Sequence, residues 1–256
     1  MGLTIAFANQ KGGVGKTTTA ANLGAALAEL QKTVLLVDFD PQGNLSSSVG
    51  ANRESRSIYE AISGEAKAGQ VVQTTTQDRL SIIPSSVNLT GANIELVNEK
   101  RREFFLKEAL KPVVSQYDYI FIDSPPSLGL LTLNALVAAD QVLIPLQCEY
   151  FALEGLTQLL QNIKRIQNSH NSELELFGIL FTMYDSRTRL ANDVVQEVIA
   201  YFGKRVFRTI IPRNIRLSEA PSHGIPVTQY DTDCVGSRSY RKLAEEVLQR
   251  VEAKTR

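Results

Sequence analysis

Short runs of aliphatic and β-branched residues recur along the chain: LTIAFA at 3 to 8, TVLLVD at 33 to 38, LSIIP at 80 to 84, YDYIFID at 117 to 123, QVLIPL at 141 to 146, ELFGILFT at 175 to 182 and RVFRTII at 205 to 211. Each is a short run rich in β-branched and aliphatic residues, which predicts strands buried on both faces. Between them, TTTAANLGAALAELQ, RREFFLKEALKPVV, LEGLTQLLQNIKRIQ and ANDVVQEVIAYFG carry apolar residues at helical spacing. Alternating strands and helices predict an α/β fold, an open, twisted, mostly parallel sheet with helices on both faces. Ligands of such sheets bind at the carboxyl ends of the strands, so the polar strand ends are where chemistry belongs.

The first strand runs directly into NQKGGVGKTTT and then a helix, the context a P-loop requires. Gly12, Gly13 and Gly15 let backbone N–H groups turn toward phosphate oxygens, and the helix N-terminus adds its dipole. In that geometry Lys16 reaches the β and γ phosphates and the Thr17 hydroxyl binds Mg²⁺. The loop departs from GxxxxGK[ST] by having Gln10 in place of the first glycine, and it carries a second lysine, Lys11. VDFDPQGN ends the second strand and brings Asp38 and Asp40 near the same phosphates; a local capping role for Asp38 competes with a catalytic one. YDYIFIDSPPS ends a buried strand in Asp123, as a Walker B acid that holds Mg²⁺ through water.

Length and charge then bound the picture. A chain of 256 residues can bury its core as one domain spanning 1–256. MGLTIAFANQ has too few apolar residues for a signal peptide, and no apolar run reaches membrane-span length, so the expected location is cytoplasmic. Cys148 and Cys234 lie far apart without metal-ligand spacing. Net charge is zero, yet residues up to 185 carry 14 basic against 19 acidic side chains, and the rest 13 against 8. By charge counting, that C-terminal basic excess is equally an ordinary solvated surface or a binding patch.

KGGVGKTT, VDFDPQGN and FIDSPPS together resemble the deviant Walker A ATPases, P-loop NTPases of the MinD/ParA superfamily. The likeness is close to the ParA and Soj branch that partitions chromosomes and plasmids, and it extends to TMYDSRTRL at 182 to 190 and TIIPRNIRLSEAPSHGIPVTQYD at 209 to 231. The resemblance implies an ATP- and Mg²⁺-dependent ATPase that pairs as a homodimer. Its nucleotide is held by Lys11, Gly12, Gly13, Val14, Gly15, Lys16, Thr17 and Thr18. It also implies that Lys11 crosses to the partner's nucleotide, that Asp40 orients the attacking water, and that Pro212 and Asn214 contact the adenine. A lysine given from the opposite chain offsets the desolvation of a buried triphosphate only while the γ-phosphate is present, which couples pairing to ATP. No arginine finger is identifiable, so slow intrinsic turnover is expected.

The resemblance further implies nonspecific double-stranded DNA as a ligand, a nucleoid-associated location and a ParB-like centromere-binding protein that stimulates hydrolysis. Arg187, Arg189, Arg213, Arg216, Arg238, Arg241 and Lys242 are the candidate phosphate contacts, and Arg189 and Arg216 match DNA-contact positions of the branch. Arginines used in this way give salt-sensitive, sequence-tolerant binding. With the P-loop strand beginning at residue 3, no operator-reading helix-turn-helix is expected ahead of it. The alternative is a MinD-like membrane regulator, which needs a terminal amphipathic helix with a basic polar face. SRSYRKLAEEVLQRVEAKTR aligns Tyr240, Leu243, Ala244, Val247, Leu248 and Val251 on one side, but its outer face mixes Glu245, Glu246 and Glu252 with the cations, which favours packing on the domain and no membrane contact. An iron–sulfur relative would need cysteines after Asp123, and SPPSLGLLTLN has none.

Overall fold

The computed structural model describes residues 2–127 and 129–255. The first half runs β1 (Leu3–Phe7), α1 (Lys16–Glu29), β2 (Val34–Asp38), α2 (Asn44–Ser48), α3 (Ile58–Ser63), α4 (Ala68–Val71), β3 (Gln73–Thr74), β4 (Leu80–Ile83), α5 (Leu89–Glu95) and α6 (Phe105–Leu110). Then come β5 (Tyr119–Asp123), α7 (Leu130–Ala138), β6 (Gln141–Gln147), α8 (Ala152–Ser169), β7 (Glu175–Thr182), α9 (Arg189–Phe202), α10 (Arg216–Glu219), α11 (Val227–Tyr230) and α12 (Val235–Thr255). The strands form one sheet in the order β3-β4-β2-β5-β1-β6-β7, parallel except for the two-residue β3 at one edge.

The period of a strand sends alternate side chains to opposite faces, and both faces are covered. Ala6, Val37, Ile122 and Ile144 point into one core, with Leu136 of α7 and Leu156, Leu159 and Ile163 of α8. Ile5, Phe7, Leu36, Phe121 and Leu143 point into the other, with Leu23 and Leu27 of α1 and Leu243 and Val247 of α12. The apolar side of the terminal helix is thus spent on the core, with Tyr240, Leu243, Ala244 and Val247 at most 1% exposed. Arg241 ties α12 to α1 through Glu29, at 2.7 and 3.1 Å. Among the described residues no helix is long and apolar enough to cross a membrane.

Six of the seven expected strands form, and the seventh does not. RVFRTII at 205 to 211 runs beside β7, with Phe207 N–H on Ile179 O and Ile211 N–H on Phe181 O, each at 2.9 Å. Between those bonds Arg208 and Thr209 both donate their N–H groups to the Glu246 carboxylate, each at 2.9 Å. Successive N–H groups of a strand point to opposite sides, so a backbone turning two of them to one carboxylate leaves the ladder. The expected helix at 101 to 114 is also broken, into a 3₁₀ turn at Arg102–Phe104, α6, and a second turn at Val114–Gln116. Pro112 cannot donate within a helix, and α7 intervenes: Asn134 accepts from Leu106 N–H at 3.1 Å and donates to Arg102 O at 2.8 Å.

Candidate nucleotide site

The carboxyl ends of β1, β2 and β5 lie side by side, with Phe7 paired to Asp123 and Asp123 to Asp38. The loop leaving β1 reaches α1 through Gly13 and Gly15 at φ +75° and +86°, left-handed values that a Cβ disfavours. It is tied down at both flanks. Thr182, at the end of β7, donates its hydroxyl to Val14 O at 2.8 Å, and the Asn9 amide donates to Pro145 O at 2.7 Å. Pairing of β6 with β1 stops at Leu143, so a proline at 145 forfeits no ladder bond to β1 and its carbonyl is open to Asn9.

Lys16 is 7% exposed, and its ammonium donates to Asn9 O at 3.3 Å. Burial lowers its pKa, opposed by the charges of Asp123 and Asp40. Thr17 donates its hydroxyl to Asp123 Oδ2 at 2.6 Å, while Asp123 Oδ1 is buried with no hydrogen-bond partner. Burial, with Asp38 alongside, pushes the Asp123 carboxyl up to about 8. An orphaned, desolvated oxygen beside a hydroxyl fits a hard cation. Mg²⁺ keeps several waters and takes few protein ligands, so a site of Thr17, Asp123 and nucleotide phosphates suits it. No group of three or more His, Cys, Asp or Glu that could hold a metal ion occurs among the described residues.

Asp38 serves its own chain. Its Oδ2 accepts from the N–H and hydroxyl of Ser46, at 2.7 and 2.6 Å, while burial raises its pKa to about 6. These bonds anchor the turn bearing Asp40, closed by Gly43 N–H on Asp40 O at 2.9 Å and Gln42 N–H on Asp40 Oδ1 at 3.0 Å. From outside, the Arg53 guanidinium lies where a Cβ on Gly43 would be, its Nε buried and unpartnered. Asp40 itself is 8% exposed and close enough to Lys16 to act on its titration.

The raised carboxylates carry a pH consequence. Between about 4 and about 8 the folded chain retains protons that the unfolded chain has released, so stability falls as pH rises through that window. In chelator and without nucleotide, the melting temperature is expected to decline from about pH 6 to about pH 8.5, and to decline less in Asp123→Asn. A flat wild-type profile would remove the desolvated carboxyl from the account.

Lys11, unlike Lys16, lies at the surface. Its side chain is 55% exposed and pairs with Glu149, just after β6, while its N–H donates to Asn9 Oδ1 at 3.0 Å. Next to it, a Cβ on Gly12 would meet nothing within 4 Å. Gly12→Val is therefore expected to leave the single chain folded and able to bind ATP. Should a second chain close over this loop, the same variant must fail to pair, and an ATP-bound dimer of it would place the interface elsewhere.

A pocket of about 110 Å³ opens behind the loop, lined by Gly15, Thr18, Met183, Pro212, Asn214 and Tyr240 among others. Pro212 and Asn214 are thus brought to the P-loop across the sequence. Tyr240 of α12 lies against Thr19 Oγ1 at 3.3 Å. The basic residues are less uniform. Arg189 is 95% exposed with a loose 3.8 Å contact to Asp193, whereas Arg187 forks onto Asp185, and Arg216 onto Glu219 and Asp231. Arg238 donates to Asp233 O, and Arg241 is the α12–α1 tie. Arg213 donates its N–H to Tyr184 O at 3.1 Å.

The family model described as AAA domain matches residues 2–176. The chain is 58% identical over 250 residues to the chromosome-partitioning ATPase Soj of Treponema pallidum, covering 98% of both chains. It is 52% identical to the sporulation initiation inhibitor protein Soj of Bacillus subtilis, covering 96% of this chain and 98% of that one. A solved structure of cobyrinic acid a,c-diamide synthase from Mycobacterium smegmatis, with bound ADP and magnesium, superposes with a TM-score of 0.86 at 38% identity, covering 99% and 97% of the chains. A P-loop beside paired strand-end carboxylates is the site of a nucleotide-hydrolysing ATPase of the deviant Walker A kind. Within that class, the chain belongs to the ParA/Soj family of chromosome-partitioning ATPases.

Proposed function

We propose that the chain is an ATP-switched dimer that binds double-stranded DNA without reading its sequence and partitions DNA, the function for which its relatives are named. The observation that carries this reading is the contrast between its two lysines, Lys16 buried among carboxylates and Lys11 on the surface with only an exposed ion pair. An exposed pair of this kind is worth about 0–1 kcal/mol, little against a partner's triphosphate.

On this reading Lys16 turns from Asn9 O to the β and γ phosphates, and the N–H groups of residues 12–18 cradle the rest. Thr17 and Asp123 would hold Mg²⁺, which would neutralise charge building up on the phosphate oxygens. Asp40, on a turn anchored by Asp38 and Ser46, orients the attacking water. Pro212 and Asn214 wall the adenine, and Lys11 leaves Glu149 for the nucleotide of the second chain. Loss of the γ-phosphate removes the partner of Lys11, so hydrolysis releases the dimer and its DNA. A ParB-like protein accelerates that step, and a nucleoid-associated location follows from the DNA contact.

Binding to random duplex DNA in ATP and in ADP, across a salt series, tests this reading. Binding is expected only with ATP and should weaken steeply with salt, as counterion release demands. Arg189→Glu should lower the affinity and reduce the salt slope while ATP-driven pairing persists. Equal binding in both nucleotides, or none, would refute the switch.

A further inference from the structure

A cleft of about 1360 Å³ lies remote from the nucleotide site. It sits at the opposite end of the sheet, between α8, the first residues of β7, the turn at Gly203–Arg205 and the last turns of α12. Three features of it point the same way. First, its charge is unbalanced. Lys164, Lys204, Arg205, Arg208, Arg250 and Lys254 line it against two carboxylates, Glu175 and Glu246. Both acids are already engaged: Glu246 accepts from the Arg208 and Thr209 N–H groups and pairs with Arg250 at 2.9 Å, and Glu175 pairs with Lys254. Lys164, Lys204 and Arg205 have no ion-pair partner among the described residues.

Second, the floor beneath these cations is apolar, with half-buried Leu160 of α8 and Leu176 of β7 over the buried Ile163, Phe177 and Val206, the last from the segment beside β7. Phosphate groups gain nothing from such a floor, whereas aliphatic side chains do. Third, β7 is the outermost strand, and the segment that covers its later residues makes its first bonds at Ile179. Over Glu175–Phe177 the edge carries no strand among the described residues, and Phe177 O accepts from Arg250 Nη1 at a long 3.4 Å. Open edges recruit extended chains. The cleft also exceeds the roughly 300–1,000 Å³ of small-molecule sites, a size suited to a peptide.

We propose that this cleft docks an extended acidic segment of a protein partner, which adds along the start of β7 with carboxylates on Lys164, Lys204 and Arg205 and alternate apolar side chains on the floor. None of the residues lining the cleft lines the nucleotide site, so binding is expected without nucleotide.

The test is fluorescence anisotropy on the full chain with three labelled probes: an eight-residue peptide alternating Glu with Val and Leu, the same peptide with Lys for Glu, and a short random DNA duplex. Saturable binding is expected for the acidic peptide alone in the absence of nucleotide, and Lys204→Glu with Arg205→Glu should weaken it at least about tenfold, with ATPase activity unchanged as the control for folding. No saturable binding of the acidic peptide, or binding unmoved by the double reversal, would overturn the proposal. So would loss of ATP-dependent DNA binding in the double variant together with displacement of the peptide by duplex, which would assign the cleft to DNA.

Discussion

Replacing Lys16 with alanine is expected to abolish nucleotide binding, lowering ATP affinity more than a hundredfold. Removing one partner of a buried, charge-assisted contact costs about 3–5 kcal/mol, and about 1.4 kcal/mol is tenfold in affinity. The ammonium is 7% exposed, and the charges of both Asp123 and Asp40 act on its titration. Without it the phosphates would meet two carboxylates and no positive side chain of their own chain. Titration calorimetry with ATP and Mg²⁺ checks the outcome, and near-normal affinity in Lys16→Ala would remove the lysine from the phosphate site. Asp123→Asn, which spares the lysine, separates loss of Mg²⁺ from loss of the cradle.

Asp40→Ala is expected to do the opposite to binding and as much to turnover. A positioned acid–base or water-orienting group contributes about 10²–10⁴-fold, so hydrolysis should fall by that factor while ATP affinity holds. The dimer would then persist with ATP and remain on DNA. The structure makes the substitution clean, because the turn is anchored by Asp38 and Ser46 rather than by the Asp40 carboxylate alone. Asp40 does accept Gln42 N–H at 3.0 Å, so Asp40→Asn, which keeps an acceptor oxygen, controls for local loosening. Single-turnover hydrolysis at wild-type rate in both variants would take Asp40 off the catalytic path.

Features written in contiguous residues are legible in the sequence itself. A doubly buried strand announces itself by an unbroken apolar run, and the P-loop by glycines and lysine between such a run and a helix. Features assembled from distant residues are not. Asn9 is fixed by Pro145, Lys11 rests on Glu149, and Thr19 meets Tyr240 from the terminal helix. Nothing at positions 145, 149 or 240 marks that connection in a single sequence, although NQ ahead of KGG is a local hint that the loop begins on a side-chain anchor. RVFRTII has the composition of a strand, but Glu246, which diverts it, lies in the terminal helix. Charge counting finds the basic C-terminal third without its pairing. Arg187, Arg216 and Arg241 each face acids of the same chain, while Lys204 and Arg205 line the cleft with no ion-pair partner among the described residues.

Lys11 is proposed to make pairing depend on ATP. Sedimentation velocity with Mg²⁺ and either ATP or ADP measures it most directly, on Asp40→Ala to hold the ATP state and on Asp40→Ala combined with Lys11→Ala. A dimer is expected only for the single variant in ATP, and monomers for the single variant in ADP and the double variant in either nucleotide. A dimer in ADP, or in the variant lacking Lys11, would contradict it.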